Sequence, residues 1–329
     1  MDRHQVVAAQ DGSGAAAPLV LVLTGPTGSG KSELALQLAD ALQARLPLEI
    51  ISADSVQVYR GMDIGSAKPD LQARARVAHH LIDIRDPAHS YSAGEFVRDA
   101  AAAIADIQRR GRLPLLVGGT MLYLRALHEG LALLPPASPA LRRELDTEAA
   151  LAGWPALHAQ LARVDAPAAA RIARNDAQRI QRALEVYRLT GVPISQWQRR
   201  SPGARQQFRW LRFALLPAAP ADLRRRLAER FQAMLDAGLL DEVRALHARG
   251  DLGEQHAAVR AVGYRQLWRY CEGSDSLEQA TQQAITATRQ LAKRQLTWLR
   301  RESALTLLPA HAVGLAAIVA HSIQASARA

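Results

Sequence analysis

The chain contains few cysteines and no long apolar run, and both absences limit what it can be. One cysteine, Cys271, in 329 residues allows no internal disulfide and no cysteine-rich zinc site. No apolar segment approaches the roughly 18 residues that span a bilayer, so no membrane association is expected. Residues 1–17 lack the apolar stretch of a signal peptide and read as a disordered leader. A cytoplasmic globular protein is the expectation.

Lysine is also scarce, because only three of the 41 basic residues are lysines (Lys31, Lys68 and Lys293). The formal net charge is nevertheless +10. Such a charge favours a polyanionic partner such as nucleic acid, through electrostatic steering and counterion release. A biased genomic base composition would explain the same excess of arginine and alanine, so charge alone leaves both explanations open.

Short apolar runs alternate with helix-like segments over the first 130 residues. This alternation is typical of a parallel sheet covered by helices. A helix is predicted over about 32–46, and another begins at Ser92, which has capping-box spacing to Glu95. The strands are predicted at Leu19–Leu23, Leu48–Ser52, His80–Ile84, Leu113–Val117 and Leu211–Leu216.

The pattern changes after residue 130. A proline-rich stretch, Leu134–Pro139, precedes an arginine-rich helical region with few strand signals. We therefore expect an α/β protein with a P-loop-type parallel sheet flanked by helices, a helical insertion and a helical C-terminal region. The predicted division is a core at 18–134 and 206–310, an insertion at 135–205 and a C-terminal tail at 311–329.

A phosphate-binding motif lies between the first strand and the first helix. It has the pattern G-x-x-x-x-G-K-[ST] in the context that the motif needs, and consists of Gly25, Pro26, Thr27, Gly28, Ser29, Gly30, Lys31 and Ser32. Glycines let backbone amides converge on phosphate oxygens, the helix N-terminus is partly positive, and Lys31 adds a charge. The Ser32 hydroxyl is the predicted magnesium ligand. An accidental glycine-rich turn is the alternative.

A carboxylate follows the second strand. Asp54 lies where ligands of open α/β sheets bind, at the carboxyl end of a strand. It is a candidate general base or magnesium-orienting group, and its alternative role is to cap a turn. The motif itself does not say which phosphate it holds, since kinases, triphosphatases and diphosphate-utilising transferases share such loops.

In their order along the chain, several segments resemble the bacterial tRNA dimethylallyltransferases. The resemblance covers about residues 18–301, and the ordered set is far more specific than the phosphate loop alone. The segments that carry it are 25–32, Asp54-Ser55-Val56-Gln57 with 58–65, 79–83, Gly118-Gly119-Thr120-Met121-Leu122-Tyr123, 175–176, 179–180, 182–185 and Ala261-Val262-Gly263-Tyr264-Arg265-Gln266.

The resemblance implies transfer of a dimethylallyl group from dimethylallyl diphosphate to N6 of adenosine 37, next to the anticodon, in tRNAs reading codons that begin with U. Mg²⁺ is implied as cofactor, and the loop would hold the isoprenoid diphosphate. Asp54, Lys31 and Thr120 are the implied catalytic residues, and family arginines suggest Arg226 and Arg230 near the diphosphate. The implied contacts to the tRNA anticodon stem-loop are Asp54, Ser55, Val56, Gln57, Thr120, Arg142, Gln178, Arg179, Ile180, Gln181, Arg182, Arg260, Ala261, Val262, Gly263, Tyr264 and Arg265, with the 135–205 insertion as a tRNA-binding domain.

The chemistry agrees with these roles. An adenine N6 is a poor nucleophile, so a base such as Asp54 that accepts its proton is useful, and amides, Lys31 and a metal stabilise the departing diphosphate. Two sets of residues have the spacing of helix stripes that could contact RNA or only water: Arg171, Arg174, Gln178 and Arg182, and Arg289, Lys293 and Arg300. The alternatives are a small-metabolite kinase and an RNA-binding ATPase. No heptad seam is visible, so a monomer is expected.

Overall fold

The computed structural model describes residues 17–132, 134–199, 208–302 and 304–328. The leader predicted at 1–17 therefore lies outside the described residues, except for Ala17. The start of the second core segment, residues 206 and 207, also lies outside them.

Six parallel strands form one sheet in the described part of the chain, in the order β3-β2-β4-β1-β5-β6. Their side chains are nearly continuously apolar in β1 and β4, as expected for parallel strands covered on both faces. The α/β fold with a parallel sheet is thus confirmed. The strands are β1 (Leu19–Thr24), β2 (Leu48–Ser52), β3 (His79–His80), β4 (Leu113–Gly118), β5 (Arg209–Leu216) and β6 (Thr306–Pro309).

Helices occupy most of the connections between these strands. The predicted capping box at Ser92 is present, since its hydroxyl accepts from the Glu95 amide and the Glu95 carboxylate accepts from the Ser92 amide. The helices are α1 (Lys31–Leu42), α2 (Leu71–Arg76), α3 (Ala93–Arg109), α4 (Met121–Glu129), α5 (Pro139–Ala152), α6 (Trp154–Val164), α7 (Ala166–Ala169), α8 (Ala177–Thr190), α9 (Ile194–Arg199), α10 (Pro220–Asp236), α11 (Leu239–His247), α12 (Tyr264–Cys271), α13 (Leu277–Leu299) and α14 (Leu315–Arg328).

The C-terminal segment differs from the predicted tail. It contains α14, which packs on α1, and its Val319 and Ile323 are buried in the same core as Leu38 and Leu42. The short edge strand β6 was not predicted either. It pairs with β5 along a single side and its Leu307 is exposed, so it lacks the continuous burial that makes an inner strand recognisable.

The predicted third strand, His80–Ile84, is shorter in the structure. Strand β3 ends at His80, because Leu81 and Asp83 adopt left-handed conformations with φ of 62° and 59°. The carboxylate of Asp83 receives hydrogen bonds from Lys68 at 2.6 Å and from Arg74 at 2.9 Å. These ion pairs hold the chain in a turn that its apolar sequence does not reveal.

The chain divides into two compact units, Met1–Leu124 with Gln206–Ala329, and Arg125–Arg205. The second unit is helical in its described part and has its own core, which includes Leu145, Leu157, Leu161 and Leu184. It begins at Arg125, earlier than the insertion predicted from residue 135. None of the helices in the described part of the chain combines the length and the apolar character that a bilayer span requires.

Candidate active site

The phosphate loop joins the end of β1 to the start of α1. Gly28 and Gly30 have φ of 75° and 83°, a left-handed conformation that other residues adopt only with strain. Gly30 caps α1, so the first amides of this helix remain available to an anion. The hydroxyl of Ser29 is buried and has no hydrogen-bond partner among the described residues. The loop thus has the backbone geometry of a phosphate cradle.

A cavity of about 380 Å³ opens beside this loop. Residues 27–32 of the loop line it together with Asp54 and Gln57, which follow β2, and with Gly118 and Gly119 at the end of β4. The carboxyl ends of three neighbouring strands therefore meet at one cavity, as parallel sheets require. Apolar side chains complete the lining, among them Leu227, Phe231, Met234, Leu239, Val262 and Leu291.

Two cations, Lys31 and Arg230, line the cavity together with the carboxylate of Asp54. Burial, with a smaller contribution from the Arg230 guanidinium, lowers the pKa of Lys31 to about 8, while Asp54 opposes the shift. Burial also lowers the pKa of Arg230, again against the attraction of Asp54. The Lys31 ammonium donates to the Pro26 carbonyl at 2.7 Å. Arg230 is therefore a second cation at the phosphate loop.

The carboxylate of Asp54 caps a turn with one of its oxygens, which is the alternative role that the sequence suggests. Its other oxygen is not used in the turn. Its Oδ1 accepts hydrogen bonds from the amides of Val56 at 2.8 Å and Gln57 at 3.3 Å. Its Oδ2 has no hydrogen-bond partner among the described residues. Since Asp54 also lines the cavity, this oxygen can accept a proton from a ligand there.

Thr120 lies beside the Asp54 turn. Its Oγ1 accepts from the Ser55 amide at 3.1 Å and donates to the Ser55 hydroxyl at 3.3 Å. Its backbone amide donates to the Ala53 carbonyl at 3.3 Å. Thr120 thus joins the end of β4 to the segment that carries the candidate base.

Gln295 is a cavity residue that the sequence reasoning missed. Its side-chain oxygen accepts from the Thr27 amide at 2.9 Å, and its side-chain nitrogen donates to the Gly119 carbonyl at 2.8 Å. It lies on the buried stripe of α13 between Ala292 and Leu299. A glutamine at an apolar helical position was the available signal, because buried polar groups need hydrogen-bond partners.

The predicted RNA-contacting segment Arg260–Arg265 contains two kinds of residue. Arg260 and Arg265 are exposed, whereas Val262 and Gly263 line the cavity. Tyr264 is fully buried, and its hydroxyl donates to Glu242 at 2.6 Å. Tyr264 therefore supports this segment from below, and the arginines are the side chains free to meet a ligand.

The helical unit holds the other candidate RNA contacts. Gln178 and Arg179 at the start of α8 are exposed, but Ile180 is fully buried. The buried Glu185 receives hydrogen bonds from both Arg142 and Arg182. Gln181 donates a hydrogen bond to Asp146 at 2.7 Å. Arg171 and Arg174 precede α8, so the four-residue stripe predicted from spacing does not lie on one continuous helix.

A metal would find few protein ligands at this cavity. No group of three or more His, Cys, Asp or Glu side chains that could hold a metal ion occurs among the described residues. Ser32 is exposed and lines the cavity with Asp54. One hydroxyl and one carboxylate suit Mg²⁺, which keeps waters and takes substrate phosphate oxygens as its other ligands.

Comparison with known proteins gives the family. The IPP transferase pattern matches residues 57–302. A curated tRNA dimethylallyltransferase from Methylococcus capsulatus is 54% identical over 313 residues, 95% of this chain and 99% of the relative. The tRNA isopentenylpyrophosphate transferase of Bacillus halodurans superposes with a TM-score of 0.68 at 35% identity, over 94% of this chain and 96% of that one. A eukaryotic dimethylallyltransferase, whose structures show it acting on tRNA, superposes with a TM-score of 0.77 at 28% identity, over 94% of this chain and 78% of that one. The chain belongs to the IPP transferase family, together with the tRNA dimethylallyltransferases.

Proposed function

We propose that this protein transfers a dimethylallyl group from dimethylallyl diphosphate to N6 of adenosine 37, next to the anticodon, in tRNAs that read codons beginning with U. The products are N6-(dimethylallyl)adenosine and diphosphate. One observation carries the proposal: a phosphate cradle with two cations, an apolar lining and a carboxylate oxygen share one cavity. Those are the groups that an allylic diphosphate and an amine nucleophile need.

The chemistry divides between the two sides of the cavity. Asp54 Oδ2 accepts the proton from N6 as the bond from nitrogen to the allylic carbon forms and the bond from that carbon to the diphosphate oxygen breaks. The loop amides, Lys31 and Arg230 stabilise the negative charge that develops on diphosphate. Arg226 lies one turn earlier on α10, and its Nε is buried with no hydrogen-bond partner among the described residues, so we assign it the same supporting role.

Mg²⁺ is the proposed cofactor. The Ser32 hydroxyl would hold it together with diphosphate oxygens, and it would neutralise charge on the leaving group. The apolar side chains of Phe231, Met234 and Leu239 suit a five-carbon prenyl group because they offer it contact without competing hydrogen bonds.

The RNA side of the reaction rests on exposed basic residues. Arg260 and Arg265 flank the cavity-lining Val262 and Gly263, so they are placed to meet phosphates around an extruded adenine. The helical unit, whose Gln178 and Arg179 are exposed, is the proposed binding domain for the anticodon stem-loop. We propose a monomer as the active form.

The test is direct assay of the purified protein with Mg²⁺, dimethylallyl diphosphate and unmodified tRNA that carries adenosine 37. Nucleoside mass analysis should detect prenylated adenosine with wild-type tRNA and none when guanosine replaces that adenosine. A parallel reaction with ATP and no prenyl donor measures ATP consumption. Absence of the prenylated nucleoside, with ATP consumed instead, would reject the proposal in favour of a kinase or an ATPase.

A further inference from the structure

The carboxylate of Glu242, on α11, accepts four hydrogen bonds. Three come from consecutive backbone amides, those of Asp63 at 2.8 Å, Ile64 at 2.7 Å and Gly65 at 3.2 Å. The fourth comes from the Tyr264 hydroxyl at 2.6 Å. Asp63 and Ile64 donate to Oε2, whereas Gly65 and Tyr264 donate to Oε1. Each oxygen thus receives two donors, which fills the hydrogen-bonding capacity of a carboxylate.

The segment held in this way is packed without spare room. A Cβ at Gly65 would approach the Tyr264 ring to 2.6 Å and the Leu239 side chain to 2.8 Å. The same side chain that donates to Glu242 therefore also covers the segment. Gly65, Ser66 and Ala67 go on to line the cavity, so the position of residues 63–67 sets one wall of the site.

This wall is connected to the candidate base by a second set of hydrogen bonds. The side-chain nitrogen of Gln57 donates to the carbonyls of Ser66 at 3.3 Å and Ala67 at 3.2 Å, and its oxygen accepts from Ser52 at 2.8 Å. The backbone amide of Gln57 donates to Asp54 Oδ1. A displacement of residues 63–67 would therefore reach the turn that orients Asp54.

We propose that Glu242 is a positioning residue for the transfer reaction: it fixes the 63–67 wall and, through Gln57, the orientation of Asp54. It touches no reacting atom and lies outside the phosphate loop. This inference rests on the proposed function for its kinetic consequence, while its structural consequence is measurable without any substrate.

Glutamine is a poor replacement at this position because all four partners are donors. If the glutamine amide nitrogen took the Oε2 position, its N–H groups would face the N–H groups of Asp63 and Ile64, and neither of these amides would have an acceptor. An amide nitrogen at the Oε1 position would oppose Gly65 alone, since the Tyr264 hydroxyl can turn and accept. Glu242→Gln therefore keeps the contacts of Asp63 and Ile64 and releases the amide of Gly65.

The experiment compares Glu242→Gln with Glu229→Gln, an equivalent change at an exposed residue of α10 that pairs with Arg225. Hydrogen–deuterium exchange of the Gly65 amide should accelerate at least about tenfold in Glu242→Gln and stay at the wild-type rate in Glu229→Gln. At saturating substrates kcat should fall about tenfold, while the Kd for inorganic diphosphate stays within about twofold, because the phosphate loop is untouched.

Tyr264→Phe keeps the ring that covers the segment and removes only the hydroxyl that donates to Glu242. Glu242 retains its three amide partners in this variant, so exchange at 63–65 should stay close to the wild-type rate. If Tyr264→Phe loosens the segment as much as Glu242→Gln, the tyrosine hydroxyl and not the three amide contacts of Glu242 fixes the wall, and the inference is wrong. The inference is also wrong if Glu242→Gln shows the wild-type exchange rate at Gly65 and the wild-type kcat. It is equally wrong if this variant loses affinity for diphosphate by the same factor as it loses kcat.

Glu242→Asp keeps the test decisive if Glu242→Gln does not fold. Its shorter side chain retains the charge but reaches fewer amides, so exchange should accelerate and kcat should fall together. Failure of the wild-type enzyme to prenylate tRNA would reject the proposed function and leave the exchange result standing.

Discussion

The side-chain oxygen of Gln295 lies 2.9 Å from the backbone nitrogen of Thr27, and this hydrogen bond joins α13 to the phosphate loop. The other end of the same side chain binds the Gly119 carbonyl after β4. Gln295→Ala breaks both bonds and leaves a partly buried amide and a partly buried carbonyl without these partners. We expect a loss of about 1–3 kcal/mol in the free energy of unfolding and an increase of about fivefold in KM for dimethylallyl diphosphate. Urea unfolding and steady-state kinetics measure the two effects.

The control is Gln283→Ala, at an exposed position on the same helix. This change removes the same kind of side chain without affecting the phosphate loop. The free energy of unfolding and the KM for dimethylallyl diphosphate should therefore both stay at their wild-type values. An unchanged KM in Gln295→Ala would mean that the loop keeps its shape without this link.

The Lys31 ammonium should make diphosphate binding depend on pH. Burial, with a smaller contribution from Arg230, lowers the pKa of Lys31 to about 8. A charged ammonium attracts diphosphate and a neutral amine does not, so affinity for inorganic diphosphate should weaken as pH rises above about 8. Calorimetric titrations between about pH 7 and 9.5 measure this. Lys31→Arg keeps its charge throughout, and therefore corrects for the ionisation of diphosphate itself; the same pH dependence in both proteins would contradict the prediction.

The same shift has a consequence for stability. In the unfolded chain Lys31 titrates near its ordinary value of 10.5. Between about pH 8 and 10.5 the unfolded state therefore binds more protons at this site than the folded state does. The contribution of Lys31 to the free energy of unfolding should rise with pH across this window. Urea unfolding of wild type and Lys31→Met at pH 8 and pH 10 should show a difference that moves in favour of the wild type at the higher pH.

The sheet and the phosphate loop were predictable because their signals are local. Apolar runs marked β1 and β4, and the glycine spacing of residues 25–32 marked the loop. The partners of Gln295 are 176 and 268 residues away in sequence, and those of Glu242 up to 179. Such bonds arise only when distant elements pack, so no local pattern announces them. The edge strand β6 escaped prediction for a different reason: it pairs with β5 alone and its Leu307 is exposed, so it lacks the continuous burial of an inner strand.

Asp54→Asn should separate the two roles of this side chain. The amide oxygen of asparagine can still accept from Val56 and Gln57 and so preserve the turn, but asparagine cannot take a proton from N6. We expect the single-turnover rate of prenyl transfer to fall at least about a hundredfold, within the range that general bases contribute, with tRNA affinity changed less than about threefold. Rapid quench and filter binding measure the two quantities. A near-normal transfer rate would remove Asp54 as the base.

The buried Glu185 predicts which arginines of the helical unit bind tRNA strongly. Its Oε1 accepts from the Ser138 amide and from Arg142 Nε at 2.9 Å, and its Oε2 accepts from Arg142 Nη2 at 3.1 Å and from Arg182. Burial would raise the pKa of Glu185, but the hydrogen bonds from Arg142 and Arg182 bring it below its usual range. The carboxylate thus stays charged and holds Arg142 in one orientation. A fixed guanidinium loses less side-chain entropy on binding phosphate than a free one does.

Arg142→Ala and Arg143→Ala test this argument because each removes one positive charge from neighbouring positions of α5, and Arg143 is exposed. Arg142→Ala should weaken tRNA binding about tenfold and lower the slope of log K against log salt by about 0.7–0.9, whereas Arg143→Ala should change affinity less than about threefold. Filter binding at several salt concentrations measures both, with circular dichroism to confirm that the unit stays folded without the Arg142 ion pair. Equal losses in the two variants would mean that net charge governs this surface and that Glu185 contributes only to folding.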